Sequence, residues 1–163
     1  MNYEEFNTIL KKQVYALPYE KQLELAITIC EKMFFDYQKF FEIHKWGDPD
    51  LLMDGINICQ QSMKNPIDIK QIEKILLKID LITPDTEDFG DEIGSYALNA
   101  ATAVSDALEF LIDKDQSRIL NVVSYYTDTV DFKIQENKVL TDDEKNKHPL
   151  MIEARAFLIN KTK

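Results

Sequence analysis

The side chains in this sequence best suited to nucleophilic, acid–base or zinc chemistry belong to two cysteines and two histidines: Cys30, Cys59, His44 and His148. Zinc sites use three or four protein ligands at recognisable spacing, and these four residues are far apart. The chain has no Ser-His-Asp or Cys-His order typical of a nucleophilic site, and no glycine-rich phosphate loop. We therefore assign no catalytic residue, no metal ligand and no cofactor, and we favour a protein that is not an enzyme.

His44 lies four residues after Phe40 at the end of an apolar stripe and permits two interpretations. It could act as a base or a metal ligand beside a cysteine, or it could close the end of a buried helix face. We favour the second, because a lone histidine has no companion ligands. Asn99, on a later alanine-rich segment, is a second candidate buried polar residue. It would need hydrogen-bond partners, and could register the bundle or line a small pocket.

The acidic run between residues 83 and 92 invites comparison with a calcium-binding loop. An EF-hand loop needs oxygen ligands at its first, third and fifth positions, and here the fifth position is Phe89. We favour acids that lie near the N-terminus of a following helix, whose dipole stabilises negative charge. The alternative is a surface for a partner or for a weakly bound metal, formed by Asp85, Glu87, Asp88, Asp91 and Glu92.

The segment Trp46-Gly47-Asp48 joins two predicted helices. A lone tryptophan beside a turn most often covers the edge of the core. Tryptophan is also enriched at interface hot spots, so Trp46 and Asp48 join the five acids as candidate partner-binding residues.

The net charge of −10 is concentrated in one stretch of the chain. Residues 85–115 hold nine acidic residues and only one basic residue, Lys114. Binding to nucleic acid or to an anionic membrane requires a basic surface, which this sequence lacks. No apolar run approaches the roughly 20 residues of a membrane span, and the first residues lack the basic and apolar regions of a signal peptide. We therefore expect a cytoplasmic protein with no nucleic-acid or membrane partner.

Apolar residues recur every three or four positions almost throughout the chain, which is the period of an α-helix. The clearest stripe runs from Leu23 to His44 and predicts a helix of about seven turns. A stripe over 93–111 contains five alanines, whose small side chains allow close approach of neighbouring helices and place this helix at the centre. The remaining stripes predict helices near residues 2–16, 52–63, 69–79, 119–134 and 150–157.

Prolines and capping residues lie at the junctions between these stripes. Asp48-Pro49 supplies a capping carboxylate followed by a proline at the first helical position. Thr141 and Glu144 form a capping-box pattern that predicts a further helical start. These signals agree with the periodicity, so we predict one all-α domain over residues 1–163. Its expected architecture is an up-and-down-like bundle of six to eight helices, with the second, fifth and sixth at the core.

Short motifs follow one another along the chain from about residue 20 to about residue 158. They are Cys30-Glu31-Lys32-Met33 with Tyr37 and Phe40, Gly47-Asp48, Pro84 with Asp88-Phe89, Asn99-Ala100, Ala103-Val104-Ser105-Asp106, and Asp142 with Glu144 and Pro149. In order and spacing this set resembles the bacterial YjaG-like family, a family of unknown function. The resemblance implies an all-helical cytoplasmic bacterial protein, with a link to histidine-kinase signalling through gene neighbourhood and no assigned catalytic residue. Asn99 stands where the family pattern favours an acid.

Three functions are compatible with this sequence. The favoured one is a non-enzymatic regulatory or protein-interaction module, associated with signalling and bound to an unidentified protein partner. The second is an inhibitor or immunity-type protein that presents residues 85–115 to a basic protein. The third is a carboxylate- or metal-dependent enzyme, which would require a concave pocket where acids with shifted pKa values converge. A homodimer is also compatible, because the wide apolar stripes could bury an interface between two copies.

Overall fold

The computed structural model describes all 163 residues and contains eight α-helices and no β-strand. This confirms the predicted all-α bundle of six to eight helices. In chain order the helices are α1 (Tyr3–Ala16), α2 (Tyr19–His44), α3 (Pro49–Ser62), α4 (Ile69–Leu81), α5 (Glu92–Asp113), α6 (Ser117–Ile134), α7 (Asp142–Lys147) and α8 (Pro149–Lys161).

The long helices α2 and α5 pack against each other along the centre of the bundle, and α6 packs beside both. Tyr19 at the start of α2 stacks on Phe110 near the end of α5, with ring centroids 5.1 Å apart, so the two helices are antiparallel. The alanines of α5 are buried, which lets its neighbours approach closely. Helices α3 and α4 cover one side of this centre, and α8 packs on α6 with α1 and α7 beside it.

The core contains both cysteines as free, buried thiols. Burial raises the pKa of Cys59 to about 12 and the pKa of Cys30 well above its ordinary value. The two thiols therefore stay protonated and behave as small apolar side chains.

Side-chain caps define where several helices begin. Asp48 accepts a hydrogen bond from the backbone N–H of Leu51 at 3.1 Å, and Pro49 occupies the first position of α3. Thr141 and Glu144 form the predicted capping box at the start of α7, which has only six residues. Both capping predictions are confirmed, and both satisfy backbone donors that would otherwise lack partners.

None of the eight helices combines the length and the apolar composition that crossing a lipid bilayer would require.

Candidate functional site

The acidic end is the surface formed by His44, by Trp46 and Asp48 in the α2–α3 turn, and by residues 85–92 of the α4–α5 loop and first turn of α5. Phe89 anchors this loop, because its ring lies 5.0 Å from the ring of Phe40, 5.1 Å from that of His44 and 5.0 Å from that of Trp46. The rings of Phe40 and His44 meet that of Phe89 edge to face, the ring of Trp46 is tilted against it, and such aromatic pairs add to the free energy of burial. The aromatic cluster therefore holds the acidic loop against the end of α2.

Asp91 ties the same loop to two helices at once. Its Oδ2 lies 2.7 Å from Nε2 of His44, and its Oδ1 accepts a hydrogen bond from the backbone N–H of Gly94 at 3.0 Å. The carboxylate thus joins the end of α2 and caps the start of α5. Asp91 is occupied within the protein and is the acid of this loop least free to meet a partner.

Tyr37 supports the acidic end from inside the core, where its side chain is fully buried. Its hydroxyl donates to the carbonyl of Ile82 at 2.6 Å and accepts from the N–H of Asp48 at 3.2 Å. Burial is the main reason that the pKa of Tyr37 is raised. Gly47 lies directly over this hydroxyl with φ of 101°, and a Cβ there would collide with it. The side chain of Tyr37 therefore holds both the α2–α3 turn and the end of α4, from which the acidic loop begins.

Besides Asp48, which caps α3, four acids of this surface remain exposed and free of any lysine, arginine or histidine within ion-pair distance. They are Asp85, Glu87, Asp88 and Glu92. Oδ1 of Asp85 accepts from the N–H of Glu87 at 2.9 Å, which fixes a tight local turn. The structure therefore brings His44 and all seven predicted partner-binding residues together at one end of the bundle. Four of these acids, the ones just named, have no basic residue within ion-pair distance.

Asn99 lies apart from this group. Its Nδ2 donates to Oγ1 of Thr129 at 3.1 Å, which links α5 to α6. Asn99 is only half-buried and lines neither of the two main cavities described below. This hydrogen bond helps to fix the position of α5 relative to α6.

The acidic stretch 85–115 is divided between the two ends of α5, a helix of 22 residues that spans roughly 33 Å. At the far end, Arg118 lies 3.1 Å from Asp106, 2.6 Å from Glu109 and 3.0 Å from Asp113. These three acids share one guanidinium, which partly neutralises them. The free negative charge of the stretch therefore lies mainly at its first eight residues.

A second site, which the sequence did not predict, is a cleft of about 500 Å³ lined by α1, α6, α7 and α8. Asp128 and Asp131 lie one turn apart on its α6 wall. Nζ of Lys145 on α7 lies 3.2 Å from Oδ1 of Asp131, while its hydrogen bond goes to Oδ2 at 3.4 Å. Oδ1 of Asp131 is buried and has no hydrogen-bond partner in the protein. We call this site the four-helix cleft.

Arg155 of α8 also lines the four-helix cleft and is only 8% exposed. Its Nη1 donates to the carbonyl of Met1 at 3.0 Å and to Oδ1 of Asn146 at 2.8 Å. The guanidinium carbon lies 5.3 Å from the ring centroid of Phe6. Burial is the main influence on this group and lowers the pKa of Arg155. Nε and Nη2 have no acceptor in the protein, so part of the guanidinium is available to a ligand.

Asp128 is the second acid on the α6 wall of the four-helix cleft. The residue is exposed overall, but partial burial and the nearby charge of Asp131 raise its pKa above the ordinary value. An acid with a raised pKa in a concave site can bind or transfer a proton more readily near neutral pH. No group of three histidine, cysteine, aspartate or glutamate side chains converges in a geometry that could hold a metal ion.

Sequence reasoning missed this cleft because its residues carry no motif. The pair at positions 128 and 131 looks like part of a solvated helix face, and the basic residues at 145 and 155 lie on two other helices. The only local signal is the spacing of the two acids, which places them on one side of α6.

Comparison with curated proteins finds no match for this chain. Among solved structures, the crystal structure of a DUF416 family protein from Shewanella baltica OS155 is similar, with a TM-score of 0.83 and 25% sequence identity. The similarity covers 93% of this chain and 80% of that one. The family model described as a protein of unknown function, DUF416, matches residues 9–160. The predicted membership in a family of unknown function is confirmed, and the chain belongs to the DUF416 family.

Proposed function

We propose that this protein is a non-enzymatic interaction module that binds a basic partner protein at the acidic end. The supporting observation is that Asp85, Glu87, Asp88 and Glu92 are exposed and unpaired on a loop held in place by an aromatic cluster. A surface that is already ordered pays less conformational entropy on binding. Complementary charge speeds association and selects against acidic partners.

Trp46 adds an apolar element beside these acids. It is half-buried, with its ring packed on Phe40 and Phe89, so part of its surface remains available at the edge of the charged loop. Tryptophan at the edge of a charged patch is a favourable anchor, since interface hot spots combine an aromatic side chain with a polar rim. The partner we infer therefore presents lysine or arginine side chains around an apolar contact.

The proposal is tested with a triple variant, Asp85→Asn, Glu87→Gln and Asp88→Asn, and a matched control. The control, Asp54→Asn, Glu73→Gln and Glu153→Gln, removes the same charge from exposed acids elsewhere. Each rim charge contributes about 0.5 kcal/mol, so we expect the triple variant to bind roughly tenfold more weakly and with a smaller salt dependence.

Proteins captured from native lysate by the wild-type chain provide the partner for this measurement. A partner that the control retains and the triple variant loses supports the proposal. A partner held equally by both variants, or the absence of any reproducible partner, contradicts it. If the captured protein loses its own activity in the complex, the inhibitor or immunity-type function is the correct form of the proposal.

We further propose a cytoplasmic, bacterial, signalling-associated protein from the YjaG-like part of the family. The order of the sequence motifs supports the subgroup, and the two free buried thiols suit a reducing compartment. We also propose that residues 1–163 form one domain, since 32 buried residues from several helices form one core cluster. Light scattering of the purified protein would distinguish a monomer from a homodimer.

A carboxylate-dependent enzyme is the second candidate, because Asp128 supplies one part of the requirement set out above: a single acid with a raised pKa in a concave site. NMR spectra of the protein incubated with small polar metabolites test it. Product formation that disappears in Asp128→Asn would favour the enzyme. Binding without turnover would leave the interaction module as the better proposal.

A further inference from the structure

We propose that the four-helix cleft binds a small zwitterion, an α-amino acid with an apolar side chain. The α6 wall carries the groups that suit an ammonium, the α8 wall carries a guanidinium that suits a carboxylate, and an apolar groove adjoins the guanidinium. This inference is independent of the acidic end, which shares no helix with the cleft.

The carboxylate half of the site is Arg155. Its Nη1 is held by the carbonyl of Met1 and by Asn146, and its face lies over the ring of Phe6, so the guanidinium has a fixed orientation. Nε and Nη2 then present a planar pair of donors, which is the geometry that matches a carboxylate. Because the side chain is 8% exposed, solvent screens its charge only weakly.

The ammonium half of the site is the pair Asp128 and Asp131. Oδ1 of Asp131 is buried and accepts no hydrogen bond, but the ammonium of Lys145 lies 3.2 Å away as an ion-pair partner. The charge of Asp131 is therefore matched within the protein, and the unmatched charge of the pair is that of Asp128, while Asp131 keeps a free acceptor position. Residues three apart on a helix lie about 5–6 Å from each other at Cβ, a spacing that one ammonium with three donors can bridge. Partial burial, together with the nearby charge of Asp131, raises the pKa of Asp128.

The charges within the cleft favour a zwitterion over a simple amine or acid. Asp128 and Asp131 together with Lys145 leave one net negative charge on one wall, and Arg155 places one positive charge on the other. A ligand with one charge would leave the opposite wall unmatched. Two further acids, Glu4 of α1 and Asp142 of α7, lie at the exposed rim of the cleft. Solvent screens their charges, so they contribute less to ligand binding.

An apolar groove of about 420 Å³ continues from the cleft and shares Arg155 and Asn146 with it. It is lined on α8 by Ile152, Ala156 and Ile159. An amino acid whose carboxylate meets Arg155 can therefore place its side chain in this groove, where burial of each CH₂ contributes about 0.8 kcal/mol. This feature selects apolar side chains over polar ones.

Calorimetric titration of the full-length protein with three related ligands tests the inference. L-leucine carries both charges, 3-methylbutylamine lacks the carboxylate, and 4-methylpentanoate lacks the ammonium. We expect leucine to bind and each singly charged analogue to bind at least about tenfold more weakly, since each loses one charge-assisted contact. Equal binding of the amine would identify a simple cation site and overturn the inference. The absence of leucine binding at millimolar concentration would also overturn it.

Variants locate the binding within the cleft. Asp128→Asn should weaken leucine binding about tenfold, whereas Asp143→Asn on the outer face of α7 should leave it unchanged. Arg155→Met keeps an apolar stem and should abolish binding, provided that circular dichroism shows a folded protein. If Arg155→Met unfolds, Asp128→Asn still tests the site. The exposed carboxyl of Asp128 forms no hydrogen bond within the protein, so its replacement should leave the fold intact. Equal affinity of Asp128→Asn and the wild type would refute the site.

Discussion

Replacement of Tyr37 by phenylalanine tests whether the acidic end is supported from the core. The change keeps the buried ring and removes one hydroxyl, which donates to Ile82 at 2.6 Å and accepts from Asp48 at 3.2 Å. Each hydrogen bond contributes about 0.5–1.5 kcal/mol, so the loss in free energy of unfolding should be about 1–3 kcal/mol. For a protein of this size, each kcal/mol lowers Tm by roughly 2–4 °C.

Urea denaturation followed by circular dichroism measures this loss, and amide hydrogen exchange at Asp48 measures the local loosening. The control is Tyr15→Phe, since Tyr15 is 43% exposed and its hydroxyl makes no hydrogen bond in the protein. We expect the control to change stability by less than about 0.5 kcal/mol. If both variants lose the same free energy, or if exchange at Asp48 stays slow in Tyr37→Phe, the hydroxyl does not support the acidic end.

Three further predictions concern Gly47, Asp128 and the two buried cysteines. Gly47→Ala should cost about 1–3 kcal/mol in urea denaturation, because alanine at φ of 101° is strained and its Cβ collides with the buried tyrosine hydroxyl. Gly90→Ala, whose Cβ would meet nothing closer than 3.6 Å, should be near neutral, and a similar loss in both would contradict the explanation. The raised pKa of Asp128 means that the folded state holds this proton more tightly than the unfolded chain, so wild-type stability falls as pH rises through that window. Asp128→Asn should therefore gain stability relative to the wild type between acidic and neutral pH, and melting curves that differ by a constant amount at every pH would refute this. Burial raises the pKa of Cys59 to about 12 and that of Cys30 well above its ordinary value, so a thiol reagent should label both only in denaturant. Rapid labelling of the native protein would show that the core opens locally.

The helices of this protein were predictable because each is specified locally. The stripe from Leu23 to His44 and the alanines of α5 require only the period of a helix and the sizes of neighbouring side chains. Helix α7 is also specified locally, but by its cap. Its six polar residues form no apolar stripe, and only Thr141 with Glu144 predicts that a helix starts there. A cap and a stripe are short-range signals, and the sequence contains both.

The residues of the acidic end could be predicted from the sequence, but their arrangement in space could not. Trp46 and the loop acids are far apart in sequence, and they meet because α2 and α5 are antiparallel. The contact that joins them, Asp91 with His44, forms where the end of α2 meets the start of α5, so it depends on the packing of the helices and not on any local signal. For the same reason the stretch 85–115 looked like one charged surface, although α5 carries its last acids to the far end of the bundle beside Arg118.

The four-helix cleft could not be predicted from the sequence, because the burial of Arg155 depends on how distant helices pack. Arg155 reads as an ordinary charged residue of the last helix, yet it is buried because α1 and α8 pack together and the carbonyl of Met1 accepts its hydrogen bond. Burial of a guanidinium against a carbonyl and an amide, rather than a carboxylate, leaves its positive charge only partly compensated. Of the two acids on α6, Asp131 is ion-paired with Lys145 at 3.2 Å, whereas Asp128 has no partner within the protein. Arg155 and Asp128 line the same cavity and form no ion pair with each other, which is the arrangement expected where a ligand supplies the missing partners of both.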